Sequence, residues 1–473
     1  MTRPTERPVT GPLAEFTARL RIEDVPETDR RALDRLLLDG FANLVAGARN
    51  EPARIQHELV AEAEGRSEAT VVATGLGTSI PSAAMLNVLH ANMLDFDDTY
   101  RTFAHPGAMS IGPALACAEA RAESGATTLA AIVAGYETQL RIIEGGMPTP
   151  ERRRTIWGFG VWQSVGAVAA SARALGLDVE RTRHAFGVGL FNAPVPNIPK
   201  MGLGDAPSAW SKNNYAWAAA GAVTGSLLAE RGYRGNPDIF DGEGAFYLMA
   251  GSDRFDPDTV LDGLGEQYRF ARTSLKPYAA CRWAHGALDA LGALRTRLGD
   301  AVADAARVEV ALFRDGAVGL RGRHPRGILE AQFSMAHLAA LELLGRSPCH
   351  GMREEDFVCP EVVAFADRVE LVHDPALDTP FEAGRLPARV TAFDAAGSTL
   401  AAAETADAWG SAEWPMSDEE AWRKFLGLVE PEWGRAGAQR LADGVLGLSA
   451  VTDVRAWLRE LVAASRGTAK CVN

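Results

Sequence analysis

Apolar side chains recur at helical spacing over residues 11 to about 265. The spacing is clearest in segments 13–16 and 36–41. Further helices are predicted in segments rich in alanine and glycine, at 114–121, 129–143, 165–175 and 215–228. Small side chains at this density allow helices to pack closely, as in the middle of a multi-layer helical domain.

The pattern changes after about residue 305, where apolar and polar positions begin to alternate. This alternation predicts strands at 307–312, 368–372 and 389–393. Residues 394–397 are typical of a hairpin turn and lead to another strand at 398–405. Helical patterns cover 330–344, 355–366 and, after the strands, 417–464.

These patterns predict a mainly α fold with an α+β lid. We expect a large all-helical domain that is discontinuous in sequence, built from residues 1–270 and 408–465. The smaller α+β lid domain would comprise residues 271–407, and residues 466–473 would form a tail. A chain of 473 residues, 47% of them hydrophobic, is long enough for the large core that this division requires.

The net charge and the cysteine content limit which binding partners and which cellular compartment we expect for this protein. The net charge of −13 and the pI of about 5.3 argue against nucleic acid or an anionic membrane surface as partners. The five cysteines are scattered without Cys-x-x-Cys spacing, which is typical of a reducing compartment and gives no zinc site. Because the N-terminus lacks an apolar signal core, we expect a soluble, cytoplasmic protein without a membrane segment.

The densest group of reactive side chains lies in segment 94–107. It contains Asp95, Asp97, Asp98, Thr99 and His105. Crowding or burial is expected to raise the pKa of at least one carboxylate, and histidine titrates near neutrality, so the segment suits general acid/base chemistry. If the acidic residues end a helix, Asp95 and Asp98 share a face. A solvated helix cap is one alternative, and a divalent-metal site is another, although calcium-loop spacing is missing.

A local reversal of charge lies at the predicted border between the domains, where ligand clefts commonly form. No carboxylate occurs between Glu266 and Asp289, but five basic residues do, namely Arg269, Arg272, Lys276, Arg282 and His285. They predict a binding site for a substrate carboxylate, because one arginine can hydrogen-bond both carboxylate oxygens. The alternative is a basic helix face paired with surface acids. Lys212 precedes an alanine-rich helix and would favour an anion there, unless it is a solvated surface lysine.

Several motifs, in order along the chain, resemble the MmgE/PrpD family, which includes 2-methylcitrate dehydratase, cis-aconitate decarboxylase and iminodisuccinate epimerase. The most specific combination is Asp-Phe-Asp-Asp-Thr at 95–99, then His-Pro at 105–106, then Gln-Phe-Ser at 332–334. Other family-like elements are Val25-Pro26, Leu37-Leu38-Asp39, segments 135–141, 174–178 and 409–415, and Lys424-Phe425. The resemblance extends from about residue 11 to about residue 430.

The resemblance implies a large helical domain with a smaller α+β lid, a dimer and no cofactor. In its decarboxylase form, the family's active-site pattern falls on Asp95, Thr99, His105, Lys212 and Lys276. His105 would act as base or acid and Asp95 would orient it. Thr99 would hydrogen-bond substrate or water. The two lysines would hold carboxylates and offset developing enolate charge.

Other positions depart from the family pattern. Cys281 occupies the place of a family histidine, and segment 315–322 lacks the expected lid tyrosine. Further replacements are Val88 and Asn92 before the acidic segment, Gly107-Ala108 after His-Pro, and segment 158–161. Departures of this kind would change substrate specificity. As candidates for substrate binding we consider four residues, Arg282, Cys281, Arg101 and His285.

We therefore expect a cofactor-independent enzyme that moves protons next to a carboxylate of a small carboxylic acid, as a lyase of dehydratase or decarboxylase type. An isomerase or epimerase is the first alternative, and an inactive relative that serves as a binding subunit is the second. No metal or organic cofactor is expected, because zinc or calcium ligand spacing and nucleotide-binding loops are missing. Uncharged small-residue helices and the resemblance together predict a homodimer.

Overall fold

The computed structural model describes residues 7–63, 65–156, 159–191, 193–195 and 215–466. In its first part, helices follow one another closely, which confirms the predicted mainly α fold. They are α1 (Thr10–Arg19), α2 (Glu27–Gly47), α3 (Glu51–Glu62), α4 (Ile80–Met93), α5 (Pro106–Arg121), α6 (Gly125–Gly145), α7 (Pro150–Arg153), α8 (Phe159–Ala174), α9 (Val179–Phe191), α10 (Tyr215–Glu230), α11 (Phe246–Met249) and α12 (Pro257–Leu261).

Helix α6 is buried along almost its whole length and packs against both α5 and α8. At Gly135 it lies close to both of these helices. A Cβ at this position would lie 2.9 Å from Ser110 Oγ on α5 and 3.0 Å from Ala170 Cβ on α8. Glycine therefore permits the close packing that the small-residue pattern predicts.

The second part of the chain is an α+β unit around a four-stranded sheet. Its strands are β3 (Arg307–Leu312), β4 (Val369–His373), β5 (Ala388–Phe393) and β6 (Thr399–Thr405), in the order β4-β3-β5-β6. Strand β3 pairs parallel with β4 and antiparallel with β5, which pairs antiparallel with β6 across the predicted turn. The accompanying helices are α13 (His285–Leu298), α14 (Arg314–Gly319), α15 (Ile328–Ala331), α16 (Met335–Leu343), α17 (Glu354–Phe357), α18 (Pro360–Ala366) and α19 (Asp378–Glu382).

Three details differ from the elements predicted from sequence. A hairpin of β1 (Ala69–Val71) and β2 (Leu76–Thr78) escapes prediction, because three-residue strands are too short to show alternation. The helix predicted at 330–344 is two helices, because the Ser334 hydroxyl accepts the His337 N–H at 3.2 Å and starts α16. The helix predicted at 355–366 is interrupted before Pro360, which lacks an N–H and begins α18.

The chain returns to the helical part through α20 (Asp418–Leu446), kinked at Gly434, and α21 (Val454–Arg466). The described residues form two main hydrophobic cores, one from residues 9–279 and 416–461 and the other from residues 278–408. On these two cores we propose the division into a discontinuous helical domain and a lid. Across the described ranges, no helix combines the length and the apolar content that crossing a membrane requires.

Candidate active site

The acidic segment forms a loop between α4 and α5. Helix α4 ends at Met93, so the helix-face geometry considered for Asp95 and Asp98 does not apply. Asp95 has φ of 48°, a left-handed conformation that costs a residue with a Cβ roughly 1–2 kcal/mol. Asp95, Asp97 and Asp98 are 2%, 1% and 2% exposed. A tight loop thus keeps three carboxylates away from water.

His105, which directly precedes α5, lies between two of these carboxylates. Its Nδ1 is 3.2 Å from both oxygens of Asp97, and its Nε2 is 3.8 Å from Asp95 Oδ1. The backbone N–H of His105 donates to Gln163 Oε1 at 2.6 Å, which fixes the residue against α8. Asn92, one of the positions at which the sequence departs from the family resemblance, donates to both Asp97 oxygens at 3.1 Å.

These contacts favour one arrangement of the ring protons of His105. A carboxylate only accepts hydrogen bonds, so Nδ1 carries the hydrogen that it donates to Asp97. Asn92 Nδ2 is also 3.2 Å from Nδ1, but the charged Asp97 oxygens are the stronger acceptors for its hydrogens. In the neutral ring, Nε2 then carries no hydrogen, and this nitrogen faces Asp95. Sequence reasoning did not single out Asp97, because only the loop conformation brings it to the ring.

Lys276 neutralises the charge of Asp95. Its ammonium group donates to the Asp95 carbonyl oxygen at 2.9 Å and also binds the Asp95 carboxylate. Both side chains are buried, that of Lys276 completely. Pairing stabilises both buried groups, because a buried ammonium or carboxylate without a counter-charge carries a large desolvation penalty. The structure therefore joins three of the predicted catalytic residues, His105, Asp95 and Lys276, in one connected cluster.

Thr99 connects the acidic loop to the segment that carries Lys276. Its N–H donates to the Ser274 carbonyl at 2.9 Å, and the Ser274 N–H donates to the Thr99 carbonyl at 2.8 Å. This two-way backbone bridge places Lys276 two residues beyond the contact. Thr99 is itself buried. Its backbone thus holds the two halves of the site in register.

A second buried lysine reaches the acidic loop from α20. Lys424 Nζ is 2.5 Å from Asp39 Oδ1 and donates to the Phe96 carbonyl oxygen at 2.6 Å. It also lies 4.1 Å from the centre of the Phe96 ring. Asp39 and Lys424 belong to the family-like motifs, but nothing in the sequence assigns them a role. The structure shows that they fix the backbone between Asp95 and Asp97.

Asp98 binds the first turn of α5 instead of His105. Its Oδ1 accepts the Gly107 N–H at 2.9 Å, and its Oδ2 accepts the Tyr136 hydroxyl at 2.7 Å. Burial raises the pKa of Asp98 to about 8, although the hydrogen bond from Tyr136 counteracts this shift. Asp98 therefore has the raised pKa that was expected for one carboxylate of this segment.

Other polar residues of α6 fix the segments around the site. Gln139 donates to the carbonyl at the start of α5 at 3.1 Å, and Glu137 accepts the Phe270 N–H at 2.7 Å. Arg141 is fully buried and donates to four backbone carbonyls of segment 260–267. The family-like motif on α6 thus positions both α5 and the chain that leads to the bridge with Thr99.

His285 and Arg282, two of the predicted substrate-binding residues, bind each other in the interior. Arg282 Nη1 donates to His285 Nδ1 at 3.1 Å and to the Trp409 carbonyl at 3.0 Å. His285 Nε2 donates to the Ala280 carbonyl at 3.1 Å. Burial, followed by the charge of Arg282, holds the pKa of His285 well below its usual value. His285 is therefore neutral, and both of its ring nitrogens have protein partners.

The other two predicted substrate-binding residues, Arg101 and Cys281, lie in contrasting surroundings. The Arg101 side chain is 53% exposed, and its Nη2 donates to Glu144 Oε1 at 2.8 Å. Cys281 is buried in the second core, and its N–H donates to the Gln332 carbonyl at 3.0 Å. Gln332 in turn donates to the Met93 carbonyl at 3.0 Å, which connects this segment to the end of α4.

One combination of the described residues has the spacing of a metal site. Asp95, Asp97 and His105 each place one ligand atom within 4.8 Å of the others. The Lys276 ammonium, however, already binds Asp95 and would repel a divalent cation at this position. The combination of donors and charges fits a proton-transfer cluster better than a metal centre.

Tyr215, which begins α10, is a neighbour of His105 that the sequence did not indicate. The two ring centres are 5.7 Å apart. Burial raises the pKa of Tyr215, so its hydroxyl keeps its proton. Lys212, the remaining predicted catalytic residue, lies outside the described residues, and so does Gly158 of the segment that departs from the family pattern.

The chain is similar to known proteins over almost its whole length. Residues 11–258 match the MmgE/PrpD N-terminal domain, and residues 278–448 match the MmgE/PrpD C-terminal domain. The cis-aconitate decarboxylase-like protein oryM of Aspergillus oryzae is 26% identical over 480 residues, which covers 94% of this chain and 95% of that protein.

Two cis-aconitate decarboxylases are also similar to this chain. That of Aspergillus terreus is 23% identical over 483 residues, with 94% of each chain covered. That of Mus musculus is 26% identical over 361 residues, which covers 72% of this chain and 70% of the mouse protein. Together, the two domain matches and these relatives show that the chain belongs to the MmgE/PrpD family.

Proposed function

We propose that the chain is a lyase that breaks a bond next to a carboxylate of a small organic acid by general acid/base catalysis. The observation that carries this proposal is the position of His105 between Asp97 and Asp95, with Lys276 bound to Asp95. A ring held by a carboxylate at one nitrogen can exchange a proton at the other, which is the arrangement of a general base or acid.

In this proposal, His105 Nε2 gives or takes the proton during turnover. Asp97 holds Nδ1 and stabilises the charged ring when Nε2 is protonated. Asp95 faces Nε2, and its pairing with Lys276 keeps the site from being too negative for an anionic substrate. Thr99 would hydrogen-bond substrate or water, as the family resemblance implies.

Such a reaction forms a carbanion-like species, which a nearby positive charge must stabilise. Removing a proton or carbon dioxide next to a carboxylate leaves an electron pair that delocalises as an enolate. Lys276 supplies one buried ammonium group beside the proton-transfer cluster. By family resemblance, Lys212 supplies a second cation that holds a substrate carboxylate.

Cis-aconitate is the first substrate to test, because it appears in the names of the relatives described above. Decarboxylation would break the bond to one carboxylate carbon and release carbon dioxide, and the electron pair left on carbon would take a proton from His105. A dehydratase would use the same groups to remove a proton and protonate a leaving hydroxyl. Both outcomes are lyase reactions.

An isomerase or epimerase is the second candidate function, because the position of a family histidine is occupied by Cys281. With a different group on that side, the carbanion could be reprotonated at another face or carbon instead of losing a group. An inactive relative that acts as a binding subunit is the third candidate. The intact cluster of His105, Asp95 and Lys276 argues against it.

Incubation with candidate acids in deuterated water, followed by NMR, separates these functions. Cis-aconitate comes first, then other di- and tricarboxylates. Loss of carbon dioxide or water from an added acid would support a lyase. Deuterium exchange without loss of a group would identify an isomerase or epimerase. If the folded protein neither converts any of these acids nor exchanges deuterium into them, the result would contradict an acid/base enzyme of this class.

We also propose that the protein is a homodimer. Helix α10 presents Trp217, Thr224 and Leu228 along one side, and the two apolar side chains are 58% and 36% exposed. Positions separated by seven and eleven residues lie on the same helix face. An interface of the obligate class would bury on the order of 2,000 Å² or more. Light scattering that gives the mass of a single chain at micromolar concentration would contradict the dimer.

A further inference from the structure

A small cavity opens next to the bridge between Thr99 and Ser274, and Ser274 forms part of its lining. Its volume is about 130 Å³, and its lining includes Tyr100, Arg101, Arg272, Ser274 and Arg282, with further lining residues in segments 383–386 and 407–413. We name it the arginine cavity. A cavity of this volume holds several water molecules, so it can admit the carboxylate group of a small organic acid.

The two outer arginines of the cavity are partly free to bind a ligand. The Arg272 side chain is 69% exposed and 3.6 Å from a Glu413 oxygen, a loose contact for an ion pair. The Arg101 side chain is 53% exposed and donates to Glu144 with Nη2. The exposed pair of Arg272 with Glu413 is weak, so an incoming anion can compete for the Arg272 guanidinium. Arg101 keeps its contact with Glu144, whose side chain is only 12% exposed, and offers its other N–H donors to the anion.

The inner arginine is the stronger indication of a ligand. Arg282 is 4% exposed, and its Nε is buried without a hydrogen-bond partner. Its Nη1 contacts are the Trp409 carbonyl and His285 Nδ1, which are both uncharged. Among the described residues, no carboxylate lies within ion-pair distance of this guanidinium. Asp289 and Asp407 act on this guanidinium electrostatically from beyond that distance. A buried cation with an unsatisfied donor is costly, so a directly bound anion would stabilise it further.

We infer that the arginine cavity is a binding site for a carboxylate group of a small organic acid. The planar fork of a guanidinium matches the two oxygens of a carboxylate, and three such groups outnumber the two acids of the lining, Asp407 and Glu413. The site rests on the proposed function only for the choice of a carboxylate over other small anions. The ligand is either the far carboxylate of the substrate or a separate molecule of acid.

The direct test is a calorimetric titration with succinate at constant ionic strength. We expect saturable binding to the wild-type chain and at least about tenfold weaker binding to Arg272→Gln and to Arg282→Lys. Arg423→Gln is the matched control, because Arg423 is equally exposed and also paired with a glutamate, but lies on α20. Its affinity should equal that of the wild type.

Two results would overturn the site, namely no saturable binding to the wild-type chain, or equal affinity in all four proteins. Arg272 is exposed, so its variant keeps the test valid even if the buried Arg282 variant does not fold.

Titration of Lys276→Met separates the two sources of the ligand. Unchanged affinity would show a separate molecule of acid, whereas loss in this variant as well as in the arginine variants would show one elongated site. Loss in Lys276→Met alone would contradict the arginine cavity, because succinate would then bind only at the cluster. Succinate binding without turnover of any acid would contradict the proposed function and leave the cavity assignment intact.

Discussion

Lys276 and Asp95 form a buried ion pair in which one ammonium group binds both the carboxylate and the backbone carbonyl of the same aspartate. The two residues are 181 positions apart in sequence. Their pairing holds the left-handed turn at Asp95 in place and sets the charge beside His105. The pair therefore has a structural role, and the proposed reaction gives the same two residues a chemical one.

The first prediction concerns the cost of breaking this pair. Lys276→Met should lower the free energy of unfolding by roughly 3–5 kcal/mol, because it leaves a buried carboxylate without a counter-charge. Adding Asp95→Asn should recover most of that loss, since neither charge then remains, while turnover stays absent. Urea unfolding of both variants and the wild type measures the effect. A single variant as stable as the wild type would show that the pair is not buried in solution.

The second prediction concerns the contact between α5 and Asp98. A Cβ at Gly107 would lie 2.6 Å from both Asp98 Oδ1 and the Tyr136 hydroxyl, so Gly107→Ala should destabilise the protein by about 1–3 kcal/mol. Gly11 is the matched control, because it is also the second residue of a helix and a Cβ there meets nothing within 4 Å. Gly11→Ala should be neutral or stabilising. Equal thermal shifts in both variants would contradict the packing described.

The third prediction is a pH dependence of stability that Asp98 causes. The pKa of Asp98 is about 8 in the folded chain, above its ordinary value of 3.8. Between these values the folded state binds more protons than the unfolded state, so this group lowers stability as pH rises, on the order of 1 kcal/mol per pH unit.

Asp98→Asn should remove this slope, because an amide keeps an acceptor for Gly107 and does not ionise. The stability of the variant relative to the wild type should therefore increase between about pH 5 and pH 8. Urea unfolding across that range makes the comparison. Parallel curves for the two proteins would show that Asp98 is not the group responsible.

The fourth prediction is that turnover needs no divalent metal. Although Asp95, Asp97 and His105 lie within 4.8 Å of one another, the bound Lys276 ammonium supplies the positive charge of this cluster. Treatment with a strong chelator, followed by gel filtration, should leave the rate unchanged. A rate that falls after chelation and returns with one divalent ion would contradict this assignment.

Much of the fold follows from periodicity alone. The alternation at 307–312 matches β3 residue for residue, and the apolar segment at 129–143 lies within α6. These elements bury one face or all faces against neighbours, so their period survives in the sequence. Periodicity does not reveal the three-residue strands of the first hairpin or the break at 332–334, because local turns and caps determine them.

The site was less accessible to sequence reasoning. The types of residue that do chemistry were visible in segment 94–107, but which carboxylate faces which nitrogen of His105 depends on the loop conformation at Asp95. Lys424 contacts the Phe96 carbonyl across 328 residues of sequence. No spacing rule along the chain can indicate such a contact, because it exists only once α20 packs on the helical core.

The central claim is that His105 carries the proton transfer. The most direct test is kcat for His105→Ala and Cys281→Ser over roughly pH 6 to 9, with circular dichroism as the control for folding. The account predicts a loss of about 10²-fold or more for His105→Ala in a folded protein, and a loss below about tenfold for Cys281→Ser. If Cys281→Ser is as inactive as His105→Ala, the claim is contradicted, and a two-base isomerase or epimerase becomes the better account.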